Sequence, residues 1–288
     1  MKGLLKRTGQ SFLKRVGLYE RIRSSFLYDL YWRAVDPTPL QKRGDEINFF
    51  QRTLQGFRKN DLIFDIGANQ GYKSDIFLRL GARVVAVDPD PANHKILRQR
   101  FRTYRLQKKP ITIVGKALSD HEGVETMWVN EPGSAKNTLN VKWVETLRDD
   151  ATRFGSALRF EDKTKVATTT LEQLIAIYGR PFYIKVDVEG HESAVLSGLR
   201  SAVPYLSFEV NLPEFRKEGQ QCIDLLHGVT LAGEFNYATE ARNGLVLKEW
   251  MPRRAFLHVF ESIAEPCIEV FWRSPVFAVP VTNRVTVK

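Results

Sequence analysis

The stretch D-L-I-F-D-I-G-A-N-Q-G-Y, residues 61–72, constrains the fold more than any other part of the chain. Leu62 to Ile66 is apolar apart from Asp65 and reads as a strand, and Gly67 and Gly71 then give a turn whose backbone can adopt conformations closed to other residues. An amphipathic run from Tyr72 to Leu80 follows, with Tyr72, Ile76, Phe77 and Leu80 on one face. Strand, glycine turn and helix in this order open a βαβ unit. The run A-R-V-V-A-V after Gly81 supplies the next strand, and Asp90-Pro91 sit where an N-cap and first helical residue belong, opening a helix through Phe101.

The alternation continues. I-T-I-V (111–114) is a third strand and E-T-M-W-V (125–129) an antiparallel addition, whereas residues 131–165 read as polar and irregular. Helices are expected over 170–178, 193–199 and 220–226, with strands over 182–188, 205–210, 235–239, 244–247 and 276–281. Short β-branched runs between helical ones specify an α/β fold, a mostly parallel Rossmann-like sheet with helices on both faces. The body is placed at residues 61–288.

Residues 1–60 read as a basic helical extension, with Leu5, Phe12, Val16 and Tyr19 forming an apolar stripe that the prolines of V-D-P-T-P-L (35–40) end. The chain carries 43 Lys and Arg against 33 Asp and Glu, a formal +10, which invites nucleic acid or an anionic membrane as partner. That charge is concentrated: 13 basic and 5 acidic side chains fall in residues 1–60, so the rest is almost balanced. The stripe can dock on the body, form a homodimer contact, lie peripherally on anionic membrane, or bind an acidic partner. Cys222 and Cys267 lack metal-ligand or C-x-x-C spacing, no run reaches the ~18–20 apolar residues of a membrane span, and the basic start lacks an uninterrupted apolar stretch. A cytoplasmic protein is expected, free or peripheral to the inner face of the membrane.

The first chemical cluster lies in the turn. Gly67-x-x-x-Gly71 behind Asp65 departs from the G-x-G-x-x-G that cradles a diphosphate, and a carboxylate there repels such a group. It attracts a cation, such as the α-amino group of S-adenosylmethionine, to which Asn69 offers an amide. Asp88 ends the second strand, where an acid can accept from ribose hydroxyls. Ser119 and Asp120, in A-L-S-D-H-E-G, reach the same rim, Asp120 as an acceptor for an adenine amino group or as a plain turn residue. The second cluster is F-Y-I-K-V-D-V-E-G-H-E (182–192), in which Lys185, Asp187 and Glu189 alternate with apolar residues. Charges inside an apolar strand are costly unless they pair or perform chemistry. Lys185 can keep Asp187 ionised, and Asp187, Glu189 or His191 can take a proton from a hydroxyl. The competing reading is a structural salt-bridge network around Gly190. Asp187, Glu189 and Glu209 also have the oxygens a divalent ion prefers, although no metal is assigned.

The blocks DIGANQG, VDPDP, ALSDHEG and KVDVEGHESAVLSGL, in this order, resemble the FkbM family of S-adenosylmethionine-dependent methyltransferases over roughly residues 40–250. The resemblance implies a class I methyltransferase fold and methyl transfer to an oxygen of a sugar, a glycan or another hydroxylated metabolite. It places Asp65, Gly67, Ala68, Asn69 and Gly71 in the first cofactor motif, Asp88 on the ribose, and Ser119 and Asp120 in the adenine loop. Asp187, Glu189 and Glu192 match its K-x-D-x-E-G-x-E block. Two features depart from the family pattern: Asp88 stands where many members have Glu, and the loop P-G-S-A-K-N-T-L-N is not a close match. An RNA or DNA methyltransferase is the alternative within the fold, disfavoured because D-V-E-G stands where base-amine enzymes carry an N-P-P-Y-like turn. A non-catalytic, membrane-docked scaffold that binds the same cofactor is the alternative outside enzymes.

Overall fold

The computed structural model describes residues 29–30, 33, 35–102, 104, 110–149 and 158–277. Pro37 precedes helix α1 (Thr38–Thr53), whose Phe49 and Phe50 are buried. Strand β1 (Leu62–Ile66) is buried at every position, as expected of a central strand with helices on both faces. Gly71 and Gly81, both at positive φ, bound α2 (Tyr72–Leu80), after which come β2 (Arg83–Val87) and α3 (Pro91–Arg100). The Asp90 carboxylate caps α3, accepting from the Ala92 N–H at 2.8 Å. The middle of the chain contains β3 (Ile111–Val114), β4 (Ala117–Leu118), β5 (Gly123–Val129), α4 (Val141–Asp149) and β6 (Asp162–Thr169). Thr170 caps α5 (Leu171–Tyr178), which leads into β7 (Tyr183–Val186), α6 (Glu192–Ser197) and β8 (Tyr205–Asn211). The last elements are α7 (Arg216–Val229), β9 (Glu234–Ala238), β10 (Met251–Pro252), α8 (Arg253–Ser262) and β11 (Cys267–Arg273).

Eight strands form one sheet in the order β10-β9-β11-β8-β7-β1-β2-β3. The five from β8 to β3 are parallel; β11 joins β8 antiparallel, β9 pairs antiparallel with β11 and so runs in the direction of the five, and β10 pairs antiparallel with β9. The chain winds outward from β1 through β2 to β3, then returns to lay β7 on the other side of β1. That reversal opens a crevice at the carboxyl ends of β1 and β7, where ligands of open α/β sheets bind. One face packs Ile63, Phe77, Tyr183 and Phe271 with α1, and the other packs Phe64, Ile184 and Leu206 with Trp143, Val195 and Phe256. A second sheet, β4-β6-β5, stands beside the crevice.

Several elements differ from the sequence reading. The segment 131–165 is not irregular throughout: it contains α4, with Trp143, Val144 and Leu147 buried, and the start of β6. β5 is antiparallel as expected, but its partner is β6 in the small sheet. Residues 244–247 are not a strand, because the Asn236 side-chain amide bonds the Leu247 backbone at 2.9 and 3.1 Å in place of a ladder. The antiparallel partner of both β8 and β9 is β11, which the sequence reading missed. Pro275–Phe277 is a 3-10 turn, and residues 278–281 lie outside the described residues, as does the Leu5–Tyr19 stripe. Within residues 1–60, α1 does not stand apart from the body: Phe50 meets the rings of Phe77 at 5.1 Å and Tyr183 at 5.7 Å, and Phe49 meets Phe271 at 5.4 Å. Among the described residues no helix is long and apolar enough to cross a membrane.

Candidate active site

The crevice at the ends of β1, β2 and β7 holds a cleft lined by Gly67, Asn69, Asp88, Asp187 and His191 among others, a concave site at the strand ends. Gly67 and Gly71 both lie at φ +78° and Asn69 at φ +47°, folding the β1–α2 turn tightly. A Cβ on Gly67 would stand 1.7 Å from the Asp187 carbonyl oxygen, so only glycine lets the first turn meet the end of β7. Beneath the turn, Asp65 is 1% exposed and accepts from the Ser74 hydroxyl at 2.6 Å, while its other oxygen, Oδ1, is buried without a partner among the described residues. Burial raises the Asp65 carboxyl above its usual value against the pull of Lys185. Asp88 accepts from the N–H groups of Asn69 (2.8 Å) and Asp90 (2.9 Å) and from the Asn93 amide (3.1 Å), so its carboxylate ties the two strand ends together where the cleft passes. Burial raises its pKa despite these donors.

Opposite stands the β7 exit. The Lys185 ammonium, almost fully buried, donates to Asp187 at 2.7 Å, and the Asp187 side chain is 31% exposed. Burial pushes the Asp187 carboxyl up, but the charge and hydrogen bond of Lys185 outweigh it and hold the group below the usual carboxylate value. Glu189 accepts from Lys136 Nζ and Trp143 Nε1, each at 2.9 Å, yet burial and the Asp187 charge keep it raised. Glu209, half-buried beside both acids, is pushed well above the usual value by desolvation and their charges. One carboxylate of Asp187, Glu189 and Glu209 is therefore held ionised by a lysine while its neighbours are driven toward the protonated form. Their oxygens lie within 4.8 Å of one another, a spacing at which a divalent ion could be held. Glu192 accepts from the N–H groups of Val188 (3.0 Å) and Gly190 (3.3 Å), and burial raises it to about 8.

A strap, residues 131–140, crosses the cleft between these ends. Asp90 Oδ2 accepts from the Gly133 N–H (2.7 Å) and the Asn137 amide (2.8 Å) on one side. On the other, Thr138 donates to the Glu189 carbonyl at 2.7 Å and Asn140 donates to that of Gly190.

The pattern of the methyltransferase FkbM domain matches residues 65–234, more than half of the 288 residues. The chain belongs to the FkbM methyltransferase family. A solved FkbM methyltransferase from Methylobacillus flagellatus KT is 16% identical, covering 78% of this chain and 47% of that one with a TM-score of 0.48. A TehB-like S-adenosylmethionine-dependent methyltransferase from Corynebacterium glutamicum ATCC 13032 Kitasato is 10% identical, covering 80% and 87%, with a TM-score of 0.39. Over 61 residues the chain is 38% identical to the ribosomal RNA large subunit methyltransferase E of Archaeoglobus fulgidus, 21% of this chain and 32% of that one. The chain thus spans about a third of that curated relative and about half of the Methylobacillus protein. The sheet is the α/β arrangement of class I methyltransferases.

The residues of this FkbM domain fit S-adenosylmethionine: the glycine turn leaves no room for a side chain, a buried acceptor without a partner among the described residues lies beneath it, and the cleft carries an acid at the end of β2. Of the residues singled out from sequence, Gly67, Asn69, Asp88, Asp187, Glu189 and His191 line the cleft. Asp65, Ala68, Gly71 and Lys185 lie behind them as support, and so does Ser119, 1% exposed, whose N–H donates to the Thr169 carbonyl. Asp120 does not line the cleft. Its side chain is 56% exposed and bonded to His121 at 2.6 Å, the arrangement of a turn residue. His191 and Asp187 share no hydrogen bond among the described residues; His191 Nε2 lies 3.4 Å from Ser119 Oγ and 4.0 Å from Glu125. Burial lowers the His191 pKa, leaving the ring neutral near pH 7. Sequence reading missed Asp90, Lys116, Met127, Lys136 and Asn137. In the sequence Asp90 reads only as a helix cap, and nothing in the spacing signals its second bond to a loop 43 residues away.

Proposed function

We propose that this chain transfers a methyl group from S-adenosylmethionine to a hydroxyl oxygen of a sugar, a glycan or another hydroxylated metabolite. The observation that carries this reading is Asp187: a carboxylate on the cleft wall, paired at 2.7 Å with a buried lysine that holds it below the usual carboxylate value, beside two acids whose pKa burial raises. S-adenosylmethionine, when bound, supplies an electrophilic methyl group. Gly67 and Asn69 would hold its amino acid end, with Asp65 behind them, and Asp88 its ribose. The acceptor hydroxyl would donate to Asp187, which orients an oxygen lone pair along the line of transfer. A depressed pKa is no obstacle to Asp187 as the base, because the proton on the acceptor oxygen becomes strongly acidic as the new C–O bond forms. His191, neutral and on the cleft wall, is the second acceptor in reach of the site.

Calorimetry with S-adenosylmethionine, followed by identification of the product labelled from it, tests the reading. Asp187→Asn is expected to lower turnover by about 10²–10⁴ with cofactor affinity retained; near-full turnover would remove Asp187 as the base. The local likeness to an RNA enzyme favours a second reading, which label in RNA rather than in small molecules or glycans would establish. The basic segment 1–33 is proposed to attach the enzyme to anionic membrane, and equal partitioning of full-length and truncated chains onto anionic vesicles would reject this.

A further inference from the structure

A second, open cavity lies between α1, the first turn of α2 and the ends of β9 and β11. Its wall leads through Glu269 and then Glu209 toward the acid that the proposed chemistry uses. Lys185 pairs in register with Ser207, so one pleat further on Asp187 falls beside Glu209, whose register partner across β11 is Glu269. Glu269 is in the cavity wall, Glu209 and Asp187 have oxygens within 4.8 Å of each other, and the charge of Lys73, also in the wall, is felt at Asp187. The cleft described above has Asp187 in its wall on the β2 side; this cavity lies on the side of α1, with Glu209 standing between its Glu269 wall and Asp187.

The lining is unusual for a chain of net charge +10. Among the described residues three cations and four carboxylates line it. Lys73 is paired to Glu46 at 2.6 Å and Arg242 is paired to Glu240, so Lys42 shares the wall with the two remaining carboxylates, Asp45 and Glu269, the latter accepting from the Ser207 hydroxyl at 2.6 Å. An incoming phosphate or carboxylate would meet cations already neutralised and acids that repel it. A hydroxyl group can donate to the carboxylates and accept from Lys42 without bringing charge into a partly desolvated site.

We propose that this second cavity receives the methyl acceptor, and that it admits uncharged hydroxyl compounds while turning away anionic ones. The inference rests on the methyltransferase reading above. In the step it serves, the acceptor oxygen gains the methyl carbon, the carbon–sulfur electron pair returns to sulfur as S-adenosylhomocysteine forms, and the hydroxyl proton passes to Asp187.

The test separates a small-molecule and glycan extract of the native host on an anion exchanger. The full-length chain with S-adenosylmethionine is then assayed on each fraction, reading S-adenosylhomocysteine above a blank. Turnover is expected with the unbound fraction. Thr239→Trp, which fills the cavity from the end of β9, is expected to raise KM for that fraction about tenfold or more while S-adenosylmethionine affinity measured by calorimetry stays unchanged. No turnover with the unbound fraction overturns the inference, as do unaltered acceptor kinetics in Thr239→Trp. Failure of the wild-type chain to bind S-adenosylmethionine would instead bring down the methyltransferase reading itself.

Discussion

Lys185 is buried where an unpaired ammonium would be costly, and its contact with Asp187 at 2.7 Å makes the two groups depend on each other. Burial alone would raise the Asp187 carboxyl, so Lys185→Met should carry its pKa from below the ordinary value to above it. The expected result is an acid limb of kcat/KM displaced to higher pH, with stability lowered by about 3 kcal/mol because a buried charge loses its partner. A pH–rate profile and denaturant unfolding at pH 7 check the two effects. Glu192 behaves in the opposite sense. Its folded pKa is about 8 against an ordinary 4.5, so the folded chain binds the proton more tightly than the unfolded one. The stability this gives is complete below about pH 4.5 and is lost as pH rises toward 8. Glu192→Gln keeps an acceptor for the Val188 and Gly190 N–H groups, so the fall in Tm between about pH 5 and 8 should flatten. The Lys185–Asp187 pairing is legible in the sequence because two charges alternating with Ile184, Val186 and Val188 have few places to go. The contacts of Lys136 and Glu125 are not, because each depends on a loop or strand delivered from far along the chain.

At the scale of elements, the strap shows how a single cap can organise two parts of a site. Asp90 holds the first turn of α3 with one oxygen and the strap with the other. Asp90→Ala is expected to cost about 1–2 kcal/mol from the lost cap. It should also free residues 131–140, so limited proteolysis should cut there faster and S-adenosylmethionine should bind more weakly. The elements read correctly from sequence, β1, α2, β2 and α3, carry glycine turns, a proline and a cap at their boundaries. Those missed have boundary marks too, Asn140 capping α4 and Pro266 preceding β11, but their interiors give a weaker periodic signal. β11, C-I-E-V-F-W-R, is packed between β8 and β9 with apolar residues on both faces, so its alternation is blurred. α4 is only nine residues long and lies between polar stretches, although Trp143, Val144 and Leu147 have helical spacing.

For the whole molecule, α1 changes what counts as the catalytic body. Its Phe50, 1% exposed, closes the core between Phe77 and Tyr183, and Tyr183 sits on the strand that carries Lys185. Phe50→Ala should therefore destabilise the chain by about 3–5 kcal/mol in denaturant unfolding, the cost of a large core truncation. A chain shortened to begin at residue 61 would lose the same packing. The outer strand on one side of the eight-stranded sheet is β10, two residues long and ending in Pro252. Proline cannot donate to a neighbouring ladder, and so short a strand offers little template for another chain. Self-association by continuation of the sheet is blocked on that side, so aggregation in a cell must begin somewhere other than this border.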